Sequence, residues 1–257
     1  MNHLKAIQSY WDARSRGFSD AVEEELHTEP GERWRALFKR ELPAPPARVL
    51  DCGTGAGFFA VLLAELGYAV NAVDYSGEML NKAAESLSTR KIRTVQGDTG
   101  APGGGEVFLA RMDAQRLEFG GEFDAVVSRN LIWNLEEPEK AYESIERVLK
   151  PGGLLMIEDG NHYLHLHDSE YAELARENRP KSDNSCHARH NTDHVDFSVM
   201  ERIAEDLPLS RLRRPQWDAE QLIARGFSDI RLEIAYRQWG EKKLPGRFLI
   251  TARKQEN

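Results

Sequence analysis

The feature that most constrains the fold is a glycine-rich turn that directly follows a short apolar segment. The stretch RVLDCGTGAG, residues 48–57, leads at once into an apolar helical pattern over residues 58–66. A strand that ends in Gly-x-Gly-x-Gly and opens a helix lets its backbone approach a nucleotide-like ligand, because a Cβ would block that approach. The alternative is that the glycines only make a tight strand-to-helix turn. The turn predicts a strand–turn–helix unit, and its context favours a ligand site.

Apolar runs and helical patterns alternate along the chain up to residue 160. Strands are predicted at residues 48–51, 69–74, 107–112, 123–128 and 154–157. Because most of these strands are separated by helices, right-handed crossovers and a parallel sheet follow. A tight turn is predicted at residues 150–153, and the strands at 227–236 and 247–251 predict an antiparallel pair at the sheet edge. The predicted fold class is α/β, a doubly wound, Rossmann-like and mostly parallel seven-stranded sheet.

Capping residues mark the beginning of two predicted helices. Ser76 is placed to cap a helix that runs through Leu87. Asp218 and Gln221 have the spacing of a capping box before a helix that ends at Gly226. Both signals predict helix starts from local sequence alone.

The sequence divides into three regions. Residues 1–45 are amphipathic and predict an N-terminal helical cap. Residues 46–160 and 216–257 carry the strands and predict the ligand-binding core. Residues 161–215 interrupt the alternation, are polar and hold six of the eight histidines. This third region is interpreted as an insertion that forms a lid over the substrate site.

Composition excludes several functional classes. The formal net charge is -8, and nucleic-acid binding depends on Lys and Arg, so no nucleic-acid partner is expected. The only tight basic run, Arg211, Arg213 and Arg214, is interpreted as a solvated helix end or as a holder for a small anionic substrate group. No stretch approaches the ~18 apolar residues of a membrane span, and the N-terminus has no signal-peptide core. Cys52 and Cys186 do not form a disulfide framework, so the chain is predicted to be cytoplasmic.

Two carboxylates beside the glycine turn distinguish between cofactors. Asp74 ends the next strand, 23 residues after Asp51, where an acid can accept hydrogen bonds from both hydroxyls of a ribose. A dinucleotide would place its pyrophosphate at the turn, and Asp51 would repel it. S-adenosylmethionine has no phosphate and carries an ammonium group that Asp51 could attract. The residues therefore favour S-adenosylmethionine over a nicotinamide dinucleotide.

Several stretches of the chain match the motifs of a known family. They are VLDCGTGAGFFAVLLAELGYAVNAVDYSGEMLNKA, MDAQRLEF, FDAVVSRNLIWNL and LKPGGLLMIED. In these motifs the chain resembles the class I S-adenosylmethionine-dependent methyltransferases, in particular the type 11-like branch that acts on small molecules. The resemblance covers roughly residues 10–159 and the terminal helix and strand pair. It implies the fold and the cofactor, whereas it says little about the substrate.

The resemblance also implies which residues bind the cofactor. They are Tyr10, Arg14, Phe18, Asp51, Gly53, Thr54, Gly55, Asp74, Tyr75, Met79, Asp113, Ala114, Arg129 and Leu131. The residues of the glycine turn would surround the methionine moiety, and Asp74 would bind the ribose hydroxyls. Tyr75 and Met79 would pack around the adenosine. Asp113 would accept the adenine amino hydrogen, and Ala114 would supply a backbone donor.

The remaining members of that set would close the methionine end of the site. Arg129 would meet the cofactor through its backbone, with Leu131 beside it. Tyr10 and Arg14 would approach the carboxylate and Phe18 would cover the pocket, although ordinary helix packing is an alternative for both aromatic residues. Asp98 is an alternative to Asp113, because residues 91–106 are long for this family. The Asp-Ala-x-x-Leu-x-Phe context favours Asp113.

Candidate acceptor-binding residues lie beyond the carboxyl ends of the fourth and fifth strands, where open α/β sheets bind ligands. They are Asn130, Trp133, Asn161 and Tyr163, with His162 as the candidate catalytic residue. Trp133 is interpreted either as an apolar wall of the pocket or as a core residue. The Asn/Asp-Pro-Pro-aromatic motif is absent after the fourth strand, which argues against DNA adenine or glutamine side chains as acceptors.

The histidines of the insertion have three interpretations: substrate or proton handling, a solvated lid, and a metal site. The residues concerned include His165, His167, His187, His190 and His194, with Cys186 and Asp193 nearby. No defined zinc spacing is present, so no metal is predicted. A base is needed only where the acceptor must lose a proton, since alignment alone can supply up to roughly 7–11 kcal/mol.

Three functions remain open at this point. The favoured one is transfer of the methyl group of S-adenosylmethionine to a small-molecule acceptor by in-line displacement, with release of S-adenosylhomocysteine. The second is a non-catalytic sensor or partner subunit that binds the same cofactor. The third is an NAD-dependent oxidoreductase, which Asp51 disfavours.

Overall fold

The structure is a computed structural model that describes residues 3–95, 102–177, 190–191, 194–239 and 242–256. The helices are α1 (His3–Leu26), α2 (Glu29–Glu41), α3 (Phe58–Glu65), α4 (Gly77–Thr89), α5 (Pro138–Val148), α6 (Ser169–Glu177), α7 (Ser198–Ala204) and α8 (Gln216–Ala224). The strands are β1 (Arg48–Cys52), β2 (Ala69–Asp74), β3 (Thr94–Val95), β4 (Val107–Arg111), β5 (Phe123–Arg129), β6 (Leu149–Gly160), β7 (Ser228–Trp239) and β8 (Lys242–Arg253). None of the helices in these ranges is long and apolar enough to cross a membrane.

All described strands belong to one sheet, in the order β3-β4-β2-β1-β5-β6-β8-β7. The first six pair in parallel, and β8 is antiparallel to both β6 and β7. The central strands are buried because helices cover both faces, as parallel sheets require. The mostly parallel α/β class and the antiparallel terminal pair are therefore confirmed.

Within the described residues the sheet has eight strands, so the expected number of seven is wrong. The additional strand, β3, consists only of Thr94 and Val95 and pairs with β4 at the sheet edge. Two residues are too few to show an alternating pattern, and they lie in a segment where the apolar pattern weakens. Only pairing with β4 identifies them as a strand.

The tight turn expected at residues 150–153 is a bulge within the longer strand β6. The pairing register with β5 moves from Phe123 opposite Leu149 to Ala125 opposite Leu154. Gly152 at the bulge has φ +73°, and its N–H donates to the carbonyl of Lys254 over 3.0 Å. The hydrogen bond from Gly152 to Lys254 thus holds the extra residues of the bulge, and β6 continues through them.

The N-terminal helices pack on the core through aromatic side chains. The ring centroids of Trp34 on α2 and Phe59 on α3 are 4.4 Å apart, and those of Phe38 and Phe59 are 5.1 Å apart. All three side chains are buried. Because α1 continues to Leu26, it extends along the carboxyl ends of the strands and forms one wall above them.

Asp218 does not cap its helix, so the capping-box prediction is wrong. Helix α8 already begins at Gln216, and the Asp218 side chain is fully buried. Its carboxylate accepts hydrogen bonds from Arg214 Nε at 2.8 Å and from the Tyr142 hydroxyl at 2.7 Å. The Asp218 carboxylate therefore forms a tertiary ion pair instead of a capping hydrogen bond within its own helix.

The basic run is not a single solvated patch. Arg213 is half-exposed and pairs with Asp168 and Glu170. Arg214, by contrast, is fully buried and pairs with Asp159 and Asp218. The interpretation as a helix end in water therefore does not hold for Arg214.

Candidate active site

A cavity of about 450 Å³ lies at the carboxyl ends of the parallel strands, with α1 along one side. Its volume is typical of a small-molecule site. Every residue that the sequence analysis assigned to cofactor, acceptor or catalysis lines this cavity, except Asn161. The parallel order explains the convergence, because the ends of β1, β2, β4, β5 and β6 meet at one edge of the sheet.

The glycine turn has no room for side chains at two positions. Gly53 has φ +75°, and a Cβ there would lie 2.8 Å from Leu131 Cδ1. Gly55 has φ +54°, and its Cβ would lie 3.2 Å from Phe18 Cε1. The backbone N–H groups of Gly53 and Thr54 both donate to the carbonyl of Val73 over 2.9 Å. The turn is thus tied to β2 and enclosed by two apolar side chains.

Asp51 is a buried carboxylate with no cationic partner among the residues that the structure describes. It is 1% exposed, and it accepts a hydrogen bond of 2.6 Å from the Thr54 hydroxyl. Burial raises the pKa of Asp51 to about 7, with a further contribution from the charge of Asp74, although the bond from Thr54 acts in the opposite direction. A buried acid of this kind can accept a ligand cation.

Asp74 at the end of β2 is held rigidly by backbone donors. One carboxylate oxygen accepts from Gly55 N at 2.8 Å and the other from Ser76 N at 2.9 Å. Desolvation raises its pKa, although these backbone bonds oppose the rise. A carboxylate has about four acceptor sites, so both oxygens can still accept bonds from two hydroxyls of a ligand.

The residues after Asp74 form one side of the cavity. The Arg111 guanidinium lies 5.2 Å from the ring centroid of Tyr75. Met79 is buried, and its N–H donates to the Ser76 hydroxyl at 3.0 Å, which confirms Ser76 as the cap of α4. The same hydroxyl donates to Asp12 at 2.5 Å, so the cap also joins α4 to α1.

Asp113 follows β4 and begins a short 3-10 helix at Ala114. Its carboxylate accepts from Gln115 N at 2.9 Å and from Gln115 Nε2 at 3.1 Å. Both Asp113 and Ala114 line the cavity, as does Met112, which the sequence analysis did not single out. An apolar residue directly before the acid was the available signal for Met112. Asp98, the alternative position, lies outside the described residues.

Arg129 at the end of β5 uses its side chain for ion pairs. Its guanidinium donates to Glu25 at 2.6 Å and to Glu158 at 3.2 Å, and it lies 4.5 Å from the ring centroid of Phe58. The next residue, Asn130, has φ +55° and accepts from Arg247 at 3.0 Å. Arg129 lines the cavity, and its guanidinium is held in these ion pairs.

Aromatic side chains form a wall of the cavity. The centroid of the Trp133 ring is 5.1 Å from that of Tyr163 and 5.2 Å from that of His162. Burial raises the pKa of Tyr10 and of Tyr163. Their phenol groups therefore remain protonated at neutral pH and act as donors. Trp133 lines the cavity and is also buried, so it serves as wall and core at once.

Helix α1 and the insertion contribute further wall residues, of which sequence reasoning missed Trp11 and Phe197. Arg14 is buried, donates to Asn191 at 3.2 Å and lies 4.8 Å from the ring centroid of Phe197. Trp11 packs edge-on against Phe18 with centroids 5.6 Å apart. The helical spacing of these α1 residues was the available signal, whereas nothing local marks Phe197.

Asn161 does not face the cavity, so its expected role in acceptor binding is not supported by its position. Its amide nitrogen donates to the carbonyls of Arg214 at 2.9 Å and Pro245 at 3.1 Å. Its oxygen accepts from Arg214 N at 3.0 Å. The polar atoms of this side chain therefore bond the residues before α8 to the end of β6.

The insertion shows no metal site in the part of the chain that the structure describes. No group of three His, Cys, Asp or Glu side chains converges there. His167 contacts the Glu205 carbonyl at 3.1 Å, and His190 contacts Glu24 at 2.8 Å. The candidate ligands Cys186, His187 and Asp193 lie outside the described residues.

The chain is similar to known methyltransferases in sequence. A family model for a methyltransferase domain matches residues 50–157. Phosphatidylethanolamine N-methyltransferase of Cereibacter sphaeroides is 33% identical over 43% of this chain and 49% of its own length. Demethylmenaquinone methyltransferase of Clavibacter sepedonicus is 32% identical over 48% and 46%. The chain therefore spans about half the length of the curated relatives that it matches.

Solved structures agree with this at the level of the fold. A methyltransferase from Methanosarcina mazei, described as SAM-dependent, has a TM-score of 0.54 at 18% identity, covering 86% of this chain and 98% of its own. Phosphoethanolamine N-methyltransferase 2 of Haemonchus contortus, solved with S-adenosyl-L-methionine, has a TM-score of 0.56 at 19% identity, covering 92% and 56%.

Proposed function

We propose that this chain methylates a small-molecule acceptor. The premise is that it carries the methyltransferase domain of the class I S-adenosylmethionine-dependent family. One observation carries the proposal. Asp51, Asp74 and Asp113, at the ends of three parallel strands, line one cavity together with an aromatic wall and His162. The acceptor is proposed to be planar, since aromatic rings enclose the remaining space, and to carry a hydroxyl group, since His162 lines the cavity and can take its proton.

The residues of the cavity fit the cofactor. Asp51 is a buried acid without a cation, which suits the ammonium of the methionine moiety. Asp74 presents a rigid carboxylate to the ribose hydroxyls. Asp113 has acceptor capacity left for the adenine amino group. When bound, S-adenosylmethionine supplies an electrophilic methyl group and leaves as S-adenosylhomocysteine.

His162 is the proposed proton acceptor. A hydroxyl must lose its proton as it becomes a nucleophile, and an imidazole is the side chain best suited to take one near neutral pH. The tyrosines of the wall are not suited to this, because burial keeps Tyr10 and Tyr163 protonated. His162 lines the cavity and its side chain is 26% exposed, so an acceptor can reach it.

The proposal is tested first by binding. Titration calorimetry with S-adenosylmethionine, S-adenosylhomocysteine and NAD should give heat with the first two only. Binding of NAD alone would overturn the cofactor assignment. A tritiated-methyl transfer assay against phenols, alcohols, thiols and amines then separates an enzyme from a sensor, because a sensor binds the cofactor without transferring the methyl group.

His162→Gln tests the proposed base. The substitution should lower kcat on a hydroxyl acceptor on the order of 10²–10⁴-fold, while the affinity for S-adenosylhomocysteine stays within about twofold. The matched control is His165→Gln, because His165 lies on the same short segment and does not line the cavity. Equal losses of kcat in the two variants would remove His162 from the mechanism.

A further inference from the structure

A buried network of charged groups lies directly behind the cavity. Arg214 donates to Asp159 at 2.9 Å on one side and to Asp218 at 2.5 Å on the other. The Tyr142 hydroxyl donates to Asp218 at 2.7 Å. All four side chains are inaccessible to solvent. The network thus sets two carboxyl groups against a single guanidinium, at the carboxyl end of β6.

The two oxygens of Asp159 have different partners. Oδ2 accepts from Arg214 Nη1 at 2.9 Å and from Trp133 N at 3.1 Å, and Oδ1 accepts from Gly160 N at 2.8 Å. Burial opposes ionisation of Asp159, but attraction to Arg214, with a contribution from His162, outweighs it and lowers the pKa to about 2. Asp159 is therefore ionised at neutral pH, and Oδ1 retains acceptor capacity.

The ring of His162 lies beside this remaining capacity. Its Nε2 is 3.5 Å from Asp159 Oδ1, and it is shielded from solvent without a hydrogen bond to any described residue. The distance is long for a hydrogen bond, as is common for catalytic contacts before the substrate binds. A buried ring nitrogen that faces a carboxylate is stabilised when it carries the proton.

We propose that Asp159 is a positioning residue, which accepts a hydrogen bond from His162 Nε2–H and so leaves Nδ1 free to take the acceptor proton. The inference rests on the proposed function. In this arrangement Asp159 determines which tautomer His162 adopts, and Arg214 holds Asp159 in its orientation. A carboxylate that holds a histidine base in one tautomer, and stabilises the imidazolium that forms, is a recurring arrangement in enzymes.

Arg214 connects this arrangement to the insertion. Its guanidinium holds Asp159 Oδ2, while its backbone N–H and carbonyl bond to Asn161. Asp159 also accepts from the backbone N–H of Trp133, whose ring packs beside that of His162. The residues before α8 therefore contribute to the site without touching the cavity.

The tautomer of His162 can be measured directly in the 257-residue chain. Long-range ¹⁵N–¹H spectra of ¹⁵N-histidine-labelled protein, recorded at about pH 9 where an ordinary imidazole is neutral, distinguish Nε2–H from Nδ1–H. His162→Gln identifies the signals by their loss. The wild type is expected to show Nε2–H at His162, and a predominant Nδ1–H form would overturn the proposal.

Asp159→Asn should switch this tautomer. The new amide keeps its oxygen toward Arg214 and Trp133, where two donors point, and turns its NH₂ group toward His162 while giving up the bond from Gly160 N. The proton of the ring then moves to Nδ1. The matched control is Asp218→Asn, which removes the other carboxyl partner of Arg214 and has no contact with His162. A switch in both variants, or in neither, would contradict a specific role of Asp159.

Turnover provides a second readout. At about pH 9, Asp159→Asn should lower kcat about 10²–10⁴-fold on 4-methoxyphenol and have little effect on 4-nitrophenol, which is largely ionised at that pH and needs no base. Equal losses on both phenols would indicate a structural defect and overturn the role. A confirmed tautomer switch without methyl transfer to any hydroxyl compound would contradict the proposed function and leave the pairing of Asp159 with His162 intact.

Discussion

At the scale of single residues, Asp51 combines a local signal with a property that only burial creates. Its place before the glycines indicates an acid at the end of β1, whereas its raised pKa follows from the core around it. The nearest polar group that it contacts is the Thr54 hydroxyl. An ionised Asp51 is therefore unfavourable in the free protein and becomes favourable when a cationic ligand arrives.

This gives a prediction for stability against pH. The pKa of Asp51 is raised from 3.8 to about 7 on folding, so its contribution is fully present below pH 3.8 and is lost as pH rises through about 7. The loss amounts to about 4 kcal/mol at most. Asp51→Asn avoids it, so the variant should gain unfolding free energy over the wild type from about pH 5 to about pH 8 in urea titrations.

Asp124→Asn is the control with the opposite sign. Burial raises the pKa of Asp124, but the bond and charge of Lys150, together with Arg48, outweigh burial and hold the pKa below its ordinary value. Its contribution is present above the unfolded pKa and lost in acid, so this variant should be less stable at neutral pH and approach the wild type as pH falls. If the unfolding free energies of the two variants, relative to the wild type, changed with pH in the same direction, the pKa shift assigned to Asp51 would be contradicted.

At the scale of elements, local signals at strand and helix ends gave correct predictions where the interacting groups lie within a few residues of each other. Ser76 caps α4 because the N–H of Met79 is three residues away, and the turn glycines adopt positive φ, which glycine does at little steric cost. The sequence therefore predicted β1, β2 and the start of α4 well. It missed β3 and misread residues 150–153, where a neighbouring strand decides the conformation.

Ser76→Ala should destabilise the protein by about 1–2 kcal/mol. The hydroxyl accepts the bond from Met79 N and donates to Asp12 on α1, so its removal weakens the start of α4 and the contact between the two helices. Urea denaturation of the full chain measures the loss. Ser88→Ala, at an exposed position of the same helix, should change stability by less than about 0.5 kcal/mol, and an equal loss there would contradict the capping role.

At the scale of the whole molecule, one buried carboxylate joins the N-terminal helices to the sheet. Glu158 on β6 accepts from Arg33 on α2 at 3.1 Å, Arg129 on β5 at 3.2 Å and Arg247 on β8 at 3.1 Å. Burial raises its pKa, but the attraction of the three arginines outweighs burial and leaves the pKa below its ordinary value. Arg129 also pairs with Glu25 on α1, so the cluster connects five elements beside the cavity.

Glu158→Gln should reduce the unfolding free energy by about 1.5–3 kcal/mol at neutral pH, because Arg129 loses one of its two carboxylate partners and keeps Glu25. The difference from the wild type should narrow in acid, since a lowered pKa means that this contribution is lost as pH falls. Glu233→Gln is the control, because the Glu233–Arg40 pair is 70% and 62% exposed and an exposed ion pair contributes little to stability. If Glu158→Gln lost no more unfolding free energy than Glu233→Gln, the cluster around Glu158 would not stabilise the packing of the N-terminal helices on the sheet.

The sequence by itself determined the mostly parallel α/β class of the core, the glycine turn and the acids at the strand ends. These features depend on apolar periodicity and turn chemistry within a few residues, so Asp51, Asp74 and Asp113 could be identified without a partner. Only the tertiary structure decided what Asn161, Arg214 and Asp218 do. Asn161 bonds to Arg214 and to Pro245, more than 50 residues away along the chain, and Asp218 meets Tyr142 across the core. Hydrogen-bond partners so distant leave no local pattern, because folding rather than spacing brings them together.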